Sequence, residues 1–219
     1  MVKMVKKMAL ALAGVMTVGL LGGCGNTFDA SAYLKALLDN SYKNDSAAFV
    51  EQKLGTAEEA AAVYEEGLDT EMNAMLASAG ITEEQAAGFR EVLADVLAGA
   101  KYTVGEAEKQ EDGSYVVTIT YEQMNIFEPT ITDYMEVVTA MAEEWAVAEE
   151  YPSDEEITNA IVVALKDCMQ EALANVTYDE PTTTTVRIEL IDNTYTPNED
   201  DIYHLESVMF DVEAMLNMQ

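Results

Sequence analysis

Basic residues, histidine and cysteine are all scarce in this chain of 219 residues. It has 11 lysine and arginine residues against 41 aspartate and glutamate residues, which gives a formal charge of −30. A field of this sign repels phosphate groups at long range, so we predict no binding of nucleic acid and no attraction to an anionic membrane surface. Because 49% of the residues are hydrophobic, the charge does not indicate a disordered chain, and we expect a packed core.

Histidine chemistry is limited to one residue, His204. A zinc cluster built on histidines needs more than one of them. His204 also lies out of phase with the apolar stripe of Ile202, Leu205 and Met209, which predicts a surface position. The sequence has no phosphate-binding glycine loop and none of the familiar catalytic signatures. We therefore assign no catalytic residue, no metal ligand and no cofactor.

The N-terminal segment has the pattern of a secretory signal. Three lysines precede an uncharged, mostly apolar run over residues 8–21. This run is shorter than the roughly 20 residues that span a bilayer, so we do not predict a permanent transmembrane helix. An ordinary signal peptide needs no cysteine after its small residues, yet here Leu21, Gly22 and Gly23 lead directly to Cys24.

These four residues resemble the lipobox of bacterial lipoproteins, in which the cysteine is lipidated and becomes the first residue of the mature chain. The resemblance implies a signal peptide over residues 1–23, a lipid-anchored tether over residues 24–28 and a single domain over residues 29–219. The lipid on Cys24, palmitate among its acyl chains, would hold this domain at the outer, extracytoplasmic face of the cell membrane. An ordinary signal peptide with an incidental cysteine is the alternative. Without residues 1–23 the formal charge is −33.

The other cysteine, Cys168, would then have no partner for an intramolecular disulfide. It shares a helical stripe with Ile161, Leu165 and Ala172, so we predict a small buried side chain in the core.

Helical periodicity and capping signals predict a helix-rich chain. Asp29 is a candidate N-cap, and the pair Asn44-Asp45 ends the helix that it opens. Capping boxes, in which a Ser or Thr and an acidic or amide residue three positions later satisfy each other's backbone amides, begin at Thr56, Thr82 and Ser153. The helix after residue 130 has a predicted core stripe of Ile131, Met135, Val138, Met141, Ala142 and Trp145.

The hydrophobic period changes from 3.6 to 2 in two places, which predicts strands. The first is a hairpin that turns at Asp112-Gly113 and ends before Pro129. The second comprises Val176-Thr177-Tyr178 and, after a break at Pro181, Thr183 to Ile191. We expect an α+β fold with about four antiparallel strands packed against helices. The order helix–helix–strand–strand occurs at residues 56–124 and again at 130–191, which indicates an internal repeat. Generic alternation of helices and strands explains this order equally well.

Acidic residues are densest at the predicted helix–helix junction over residues 143–156. We interpret this run as a solvated junction, because acids are favoured near the N-terminus of the following helix. The stretch Asp192–Asp201 resembles a calcium loop superficially, but it lacks the glycine and the terminal bidentate glutamate of that motif.

Several short segments together resemble a known group of proteins, the uncharacterised small lipoproteins of low-GC Gram-positive bacteria, a domain-of-unknown-function family. The segments are Phe28-Asp29-Ala30, Tyr42-Lys43-Asn44-Asp45, Thr56-Ala57-Glu58-Glu59, Val104-Gly105-Glu106-Ala107 and Ile126-Phe127. The resemblance covers nearly all of the chain after Cys24. It implies a lipid-anchored extracytoplasmic α+β domain without an established activity, so it assigns no catalytic residues.

Two classes of function agree with these features. The first is a non-catalytic module that binds an extracellular ligand or protein, and the second is a hydrolase that uses paired carboxylates, for example on glycans. The scarcity of histidine and thiol groups favours the binding module, because catalysis near neutral pH usually needs a group that titrates there.

The replacement Cys24→Ser should leave an unlipidated precursor, because the lipid is attached through the cysteine sulfur. Incorporation of labelled palmitate in cells measures the effect. The matched control Cys168→Ser should incorporate palmitate like the parent chain. If Cys24→Ser still partitions into detergent as a processed lipoprotein, the anchor assignment is wrong.

Overall fold

The computed structural model describes residues 28–79, 82 and 88–211. This part of the chain contains seven helices and six strands. The helices are α1 (Ala30–Lys43), α2 (Ala47–Glu51), α3 (Ala57–Ala79), α4 (Phe89–Ala98), α5 (Phe127–Val147), α6 (Asp154–Ala174) and α7 (Glu199–Met209). The strands are β1 (Lys101–Lys109), β2 (Tyr115–Glu122), β3 (Met124–Asn125), β4 (Thr177–Tyr178), β5 (Thr182–Ile191) and β6 (Thr194–Pro197).

Four of the strands form one antiparallel sheet in the order β1-β2-β5-β6. The short strands β3 and β4 pair separately with each other. The predicted α+β class, with about four antiparallel strands packed against helices, is therefore confirmed. The hairpin between β1 and β2 turns where the sequence predicts it, since Gly113 has a φ of +89° and Asp112 accepts a bond from the Ser114 amide.

Most of the predicted helix ends are also confirmed. The side chain of Asp29 accepts a hydrogen bond from the Ala32 amide, and Asn44 ends α1 in the left-handed conformation. Reciprocal capping bonds join Thr56 to Glu59 and Ser153 to Glu156. The remaining predicted capping box begins at Thr82 and continues over residues 83–85, which lie outside the described part of the chain.

The core lies between α1 and the inner face of the sheet. That face has alternate residues of the two central strands, and Val117, Ile119, Val186 and Ile188 are each 0% exposed. Helix α7 packs against β5, and α3 and α4 pack against the other side of α1. Helix α1 is therefore covered on nearly all sides, and its buried residues form an unbroken run from Ala36 to Tyr42.

The outer face of the sheet carries threonines instead of apolar side chains. Thr103, Thr120 and Thr183 are cross-strand neighbours on β1, β2 and β5, and Thr118 pairs with Thr185. Four of the five are exposed and Thr120 is half-buried. Alternation of apolar and threonine residues along β2 and β5 thus separates the packed face from the solvated one.

The prediction for the helix after residue 130 is partly wrong. Helix α5 begins at Phe127 and includes Pro129 in its first turn, where a missing amide hydrogen is tolerated. Its predicted core stripe is at most half-buried, and Met135 is 58% exposed. The physical reason is that α5 packs mainly against α6, so one helix covers it instead of a core.

The structure adds two strands that the sequence pattern did not predict, β3 and β6. Asp192 and Asn193 both have positive φ, so they form a tight turn that returns the chain along β5. The order helix–helix–strand–strand does occur twice, but the pairing differs between the two units. Strands β1 and β2 pair with each other, whereas β4 pairs with β3 and β5 pairs with β2.

Among the helices of the described residues, none is both long and apolar enough to be a candidate membrane span.

Replacing Ser153 by alanine should destabilise the protein by about 1 kcal/mol, because the capping bond to the Glu156 amide is lost. Urea unfolding followed by circular dichroism measures the change. In the control Thr139→Ala, an exposed hydroxyl that bonds the Met135 carbonyl within α5 is removed, and we expect a change below about 0.5 kcal/mol. Equal losses in both variants would contradict the capping interpretation.

Candidate functional site

The predicted lipidation site, Cys24, and the lipobox residues Leu21, Gly22 and Gly23 lie outside the described residues. The first described residue, Phe28, lies four positions after Cys24. The ring of Phe28 stacks on Tyr195, with centroids 3.8 Å apart and planes within 3°. Tyr33 and Tyr115 contact the same ring at centroid distances of 5.3 and 5.4 Å. We name these four residues the anchor cluster, because they fix the point at which the chain enters the domain.

The anchor cluster marks one end of the domain, and α1 leads to the other. The Ser31 hydroxyl donates to the Gly105 carbonyl near the start of α1, and the Tyr102 hydroxyl donates to Asp39 further along. Helix α1 thus runs antiparallel to β1. Its 14 residues span about 20 Å at 1.5 Å per residue. The C-terminal end of α1, with Lys43, is consequently far from the point of entry.

A hollow of about 370 Å³ lies at this far end. The ammonium group of Lys43 is 4.5 Å from the ring centroid of Tyr102, and that of Lys101 is 3.5 Å from the centroid of Tyr178. Lys101 also contacts Glu122, at 3.3 Å. Both cations thus have partners within the protein, which favours a structural role for this hollow.

A larger hollow, which we name the α4–α6 groove, has a volume of about 560 Å³. Phe89 and Val162 form its apolar floor and are 1% and 8% exposed. Val163 also lines it and is 51% exposed. The described polar lining comes from Glu155, Asn159 and Lys166 on α6 and from Thr82 and Gly88 at the α3–α4 connection; residues 83–87 between the last two lie outside the description.

The polar ends of the groove come from one face of α6. Glu155, Asn159, Val162, Val163 and Lys166 are spaced at intervals of three or four residues or lie side by side, so they follow one side of the helix. Glu155 and Lys166 are eleven positions apart, which corresponds to about 16 Å along the axis. The groove therefore has a carboxylate near one end, an ammonium group near the other and apolar side chains between them.

Sequence reasoning missed a set of buried polar side chains on α1. Asp39, Asn40 and Ser41 are all at most 6% exposed. Asp39 accepts bonds from Tyr102, at 2.7 Å, and from Lys35. Burial, and secondarily the bond to Asp39, raises the pKa of the Tyr102 hydroxyl. The only advance signal was the polar run directly after the apolar Leu37-Leu38 pair, which the helical stripe alone does not explain.

A second buried bond joins α1 to α7, where the Tyr42 hydroxyl donates to Glu206 at 3.1 Å. Glu206 is 5% exposed, and the Tyr42 ring also contacts Phe210 edge-on. Asp39 and Glu206 thus each accept a hydrogen bond from a tyrosine on another element. The two buried carboxylates join α1 to β1 and α1 to α7, which is a structural role.

Two predictions on reactive groups agree with the structure. Cys168 is 7% exposed on α6, as the stripe predicts, and it is not in a disulfide. Burial raises the pKa of its thiol, and nearby acidic side chains, Asp133 first among them, add to the effect. His204 is exposed on α7, also as predicted.

The two acidic stretches that the sequence singles out form no cation site in the described residues. Asp192 lies in the turn before β6, and Asn198 caps α7. Asp201 accepts bonds from the guanidinium of Arg187, at 2.7 and 3.0 Å, and from its backbone amide, at 2.9 Å. The acidic residues of the α5–α6 junction are exposed. In the described part of the chain, no group of three or more acidic, cysteine or histidine residues is arranged to hold a metal ion.

Cys168 should react with a thiol reagent at least about tenfold more slowly in the native protein than in denaturant, because it is buried and its pKa is raised. Absorbance on reaction with an aromatic disulfide measures the rate. The matched control is Val163→Cys in a Cys168→Ala background, which places a thiol at an exposed position of the same helix and should react rapidly. Fast labelling of native Cys168 would instead indicate a reactive cysteine.

Comparison with known proteins gives one structural likeness. No protein-family model and no curated protein matches the chain. The fold is similar to the crystal structure of ycdA, a candidate lipoprotein from Bacillus subtilis, with a TM-score of 0.53 and 17% sequence identity. The match covers 92% of this chain and 58% of ycdA, so the chain spans less than two thirds of the length of that protein. At this identity, the likeness shows a shared fold.

Proposed function

We propose that this chain is a lipoprotein, anchored through Cys24 at the outer face of the cell membrane, whose domain is a non-catalytic ligand-binding module. The lipobox supports the anchor, and so does the likeness of the fold to a candidate lipoprotein of a low-GC Gram-positive bacterium. The anchor cluster adds a physical reason for a short tether, since Phe28 is already held by three tyrosine rings.

The observation that carries the binding function is the α4–α6 groove. Its volume of about 560 Å³ lies within the range of small-molecule sites, roughly 300–1,000 Å³. Such sites combine an apolar lining with a few convergent polar groups, and the groove has both. Val163 is exposed in this groove, where a ligand would cover it.

The charges of the groove favour a ligand with opposite charges at its two ends. Glu155 can pair with an ammonium group. Lys166 lies 3.6 Å from the exposed carboxylate of Asp167, a surface contact that is worth little and that a ligand carboxylate can replace. The separation of about 16 Å along the helix fits an extended peptide of four or five residues at about 3.3 Å each. A zwitterionic ligand has no net charge, so the strongly acidic domain does not repel it at long range. We therefore place short peptides first among the candidate ligands.

Catalysis is the less favoured function. The α4–α6 groove and the hollow beside Tyr102 each contain one carboxylate. A third hollow, of about 680 Å³ beside Phe28, contains Glu106 and Asp29, and Asp29 already caps α1. Asp39 and Glu206 are engaged with tyrosine hydroxyls. Clear hydrolysis of glycans that disappears on mutating one acidic pair would overturn the binding module.

Calorimetry with tetraalanine as the probe tests the groove on the processed full-length protein in detergent. We expect saturable binding that Lys166→Glu weakens at least about tenfold, since it places like charges at both ends of the groove. Val163→Asp should weaken binding by removing apolar contact. The matched control Val50→Asp, on α2 and 43% exposed, should bind as the parent chain does. Absence of saturable heat, or equal weakening in the control, contradicts the assignment of the groove.

A further inference from the structure

We propose that the end of the sheet next to the anchor cluster rests on the lipid bilayer, with Leu190 and Ile191 in contact with it. This inference depends on the proposed lipid at Cys24 and adds an orientation to it. The domain would then stand on the membrane with a defined end down, instead of moving freely on a tether.

The length of chain between the lipid and the domain limits their separation. Cys24 and Phe28 are four positions apart, and an extended chain advances at most about 3.5 Å per residue. The Phe28 backbone must therefore lie within about 14 Å of the lipidated residue. Because the Phe28 ring is stacked on Tyr195 and contacts Tyr33 and Tyr115, this limit applies to the folded domain as well.

Leu190 and Ile191 lie directly beside this point of entry. Leu190 is the cross-strand partner of Tyr195, and Ile191 is the partner of Thr194. The turn of the first hairpin is also close, since a Cβ atom on Gly113 would lie 3.6 Å from the Leu190 side chain. The start of β2, the end of β5 and the start of β6 thus form one surface around Phe28.

This surface has the chemistry of a membrane interface. Leu190 is 41% exposed and Ile191 is 52% exposed, although both are large apolar residues. Tyr115 and Tyr195 lie next to them, and tyrosine is enriched where an apolar region meets water. Because the tether keeps this end at a high effective concentration near the bilayer, contact by two side chains is sufficient to bias the orientation.

Acidic residues at the same end determine which bilayer fits. Glu108, Glu111, Asp112 and Asp192 lie on or next to the two turns. Among the described residues of these turns, Lys109 carries the one ammonium group, which is held 5.7 Å from the Tyr115 ring centroid. Carboxylates are repelled by anionic headgroups within a Debye length of about 8 Å. The contact should consequently be stronger on zwitterionic phosphatidylcholine than on a bilayer rich in phosphatidylglycerol.

Fluorescence quenching by brominated acyl chains tests the contact on the full-length, lipidated protein in vesicles. The reporter is Ile191→Trp in a Trp145→Phe background, so that each protein has one tryptophan. The matched control is Val50→Trp in the same background, since Val50 has similar exposure and follows the far end of α1. In phosphatidylcholine vesicles we expect at least threefold more quenching at position 191 than at position 50, and less quenching at 191 when phosphatidylglycerol is added.

Leu190→Trp is a second reporter in case Ile191→Trp fails to fold, which circular dichroism monitors. Vesicle flotation measures whether the lipid on Cys24 anchors the protein, independently of whether Leu190 and Ile191 contact the bilayer. If the protein floats but neither position 190 nor position 191 is quenched more than position 50, the contact is wrong and the anchor stands. If the protein does not float, both are wrong. If the fluorescence at position 191 depends on protein density and not on brominated lipid, a second copy covers this end and the proposal is overturned.

Discussion

The burial of α1 is the constraint on which the rest of the domain depends. Between Tyr33 and Tyr42 every residue except Lys35 is buried, so this helix cannot exist in its native environment unless sheet and helices surround it. Full burial of a leucine side chain contributes about 1.5–3 kcal/mol, and Leu34, Leu37 and Leu38 are each at most 2% exposed. The sheet, α3, α4 and α7 are arranged around this helix.

Buried hydrogen bonds fix the orientation of α1 in the domain. Apolar packing is non-directional. The hydrogen bonds from Tyr102 to Asp39 and from Tyr42 to Glu206, in contrast, form only when α1 has one rotation about its axis and one position along it. Losing either partner would leave a buried polar group without its hydrogen bond, which lowers the free energy of unfolding. These bonds therefore link α1 to β1 on one side and to α7 on the other in a single register.

Because α1 is fixed in this orientation, its two ends mark two different ends of the domain. The start of α1 lies at the anchor cluster, and its end lies near Lys43 and the hollow beside Tyr102. The pair α5–α6 packs outside this assembly, mainly through α6 against α4. That peripheral packing leaves α5 largely exposed and leaves the α4–α6 groove open beside Val163. The domain thus combines a fully packed centre around α1 with a groove at its periphery, between α4 and α6, that is open to solvent.

Local features of this protein were determined by its sequence. Capping boxes at Thr56 and Ser153, the turn at Gly113 and the burial of Cys168 all follow from residues within one or two helical turns or one hairpin. The predicted lipid site at Cys24 is likewise a local motif. The tertiary structure alone decided that α5 is exposed despite its apolar stripe, that β6 pairs with β5, and that Asp39 and Glu206 are buried. Tyr42 and Glu206 are 164 positions apart, and the groove needs α4 and α6 together. A local stripe shows which face of a helix can be buried, as at Cys168, but whether that face is covered depends on contacts with distant segments, as the exposed stripe of α5 shows.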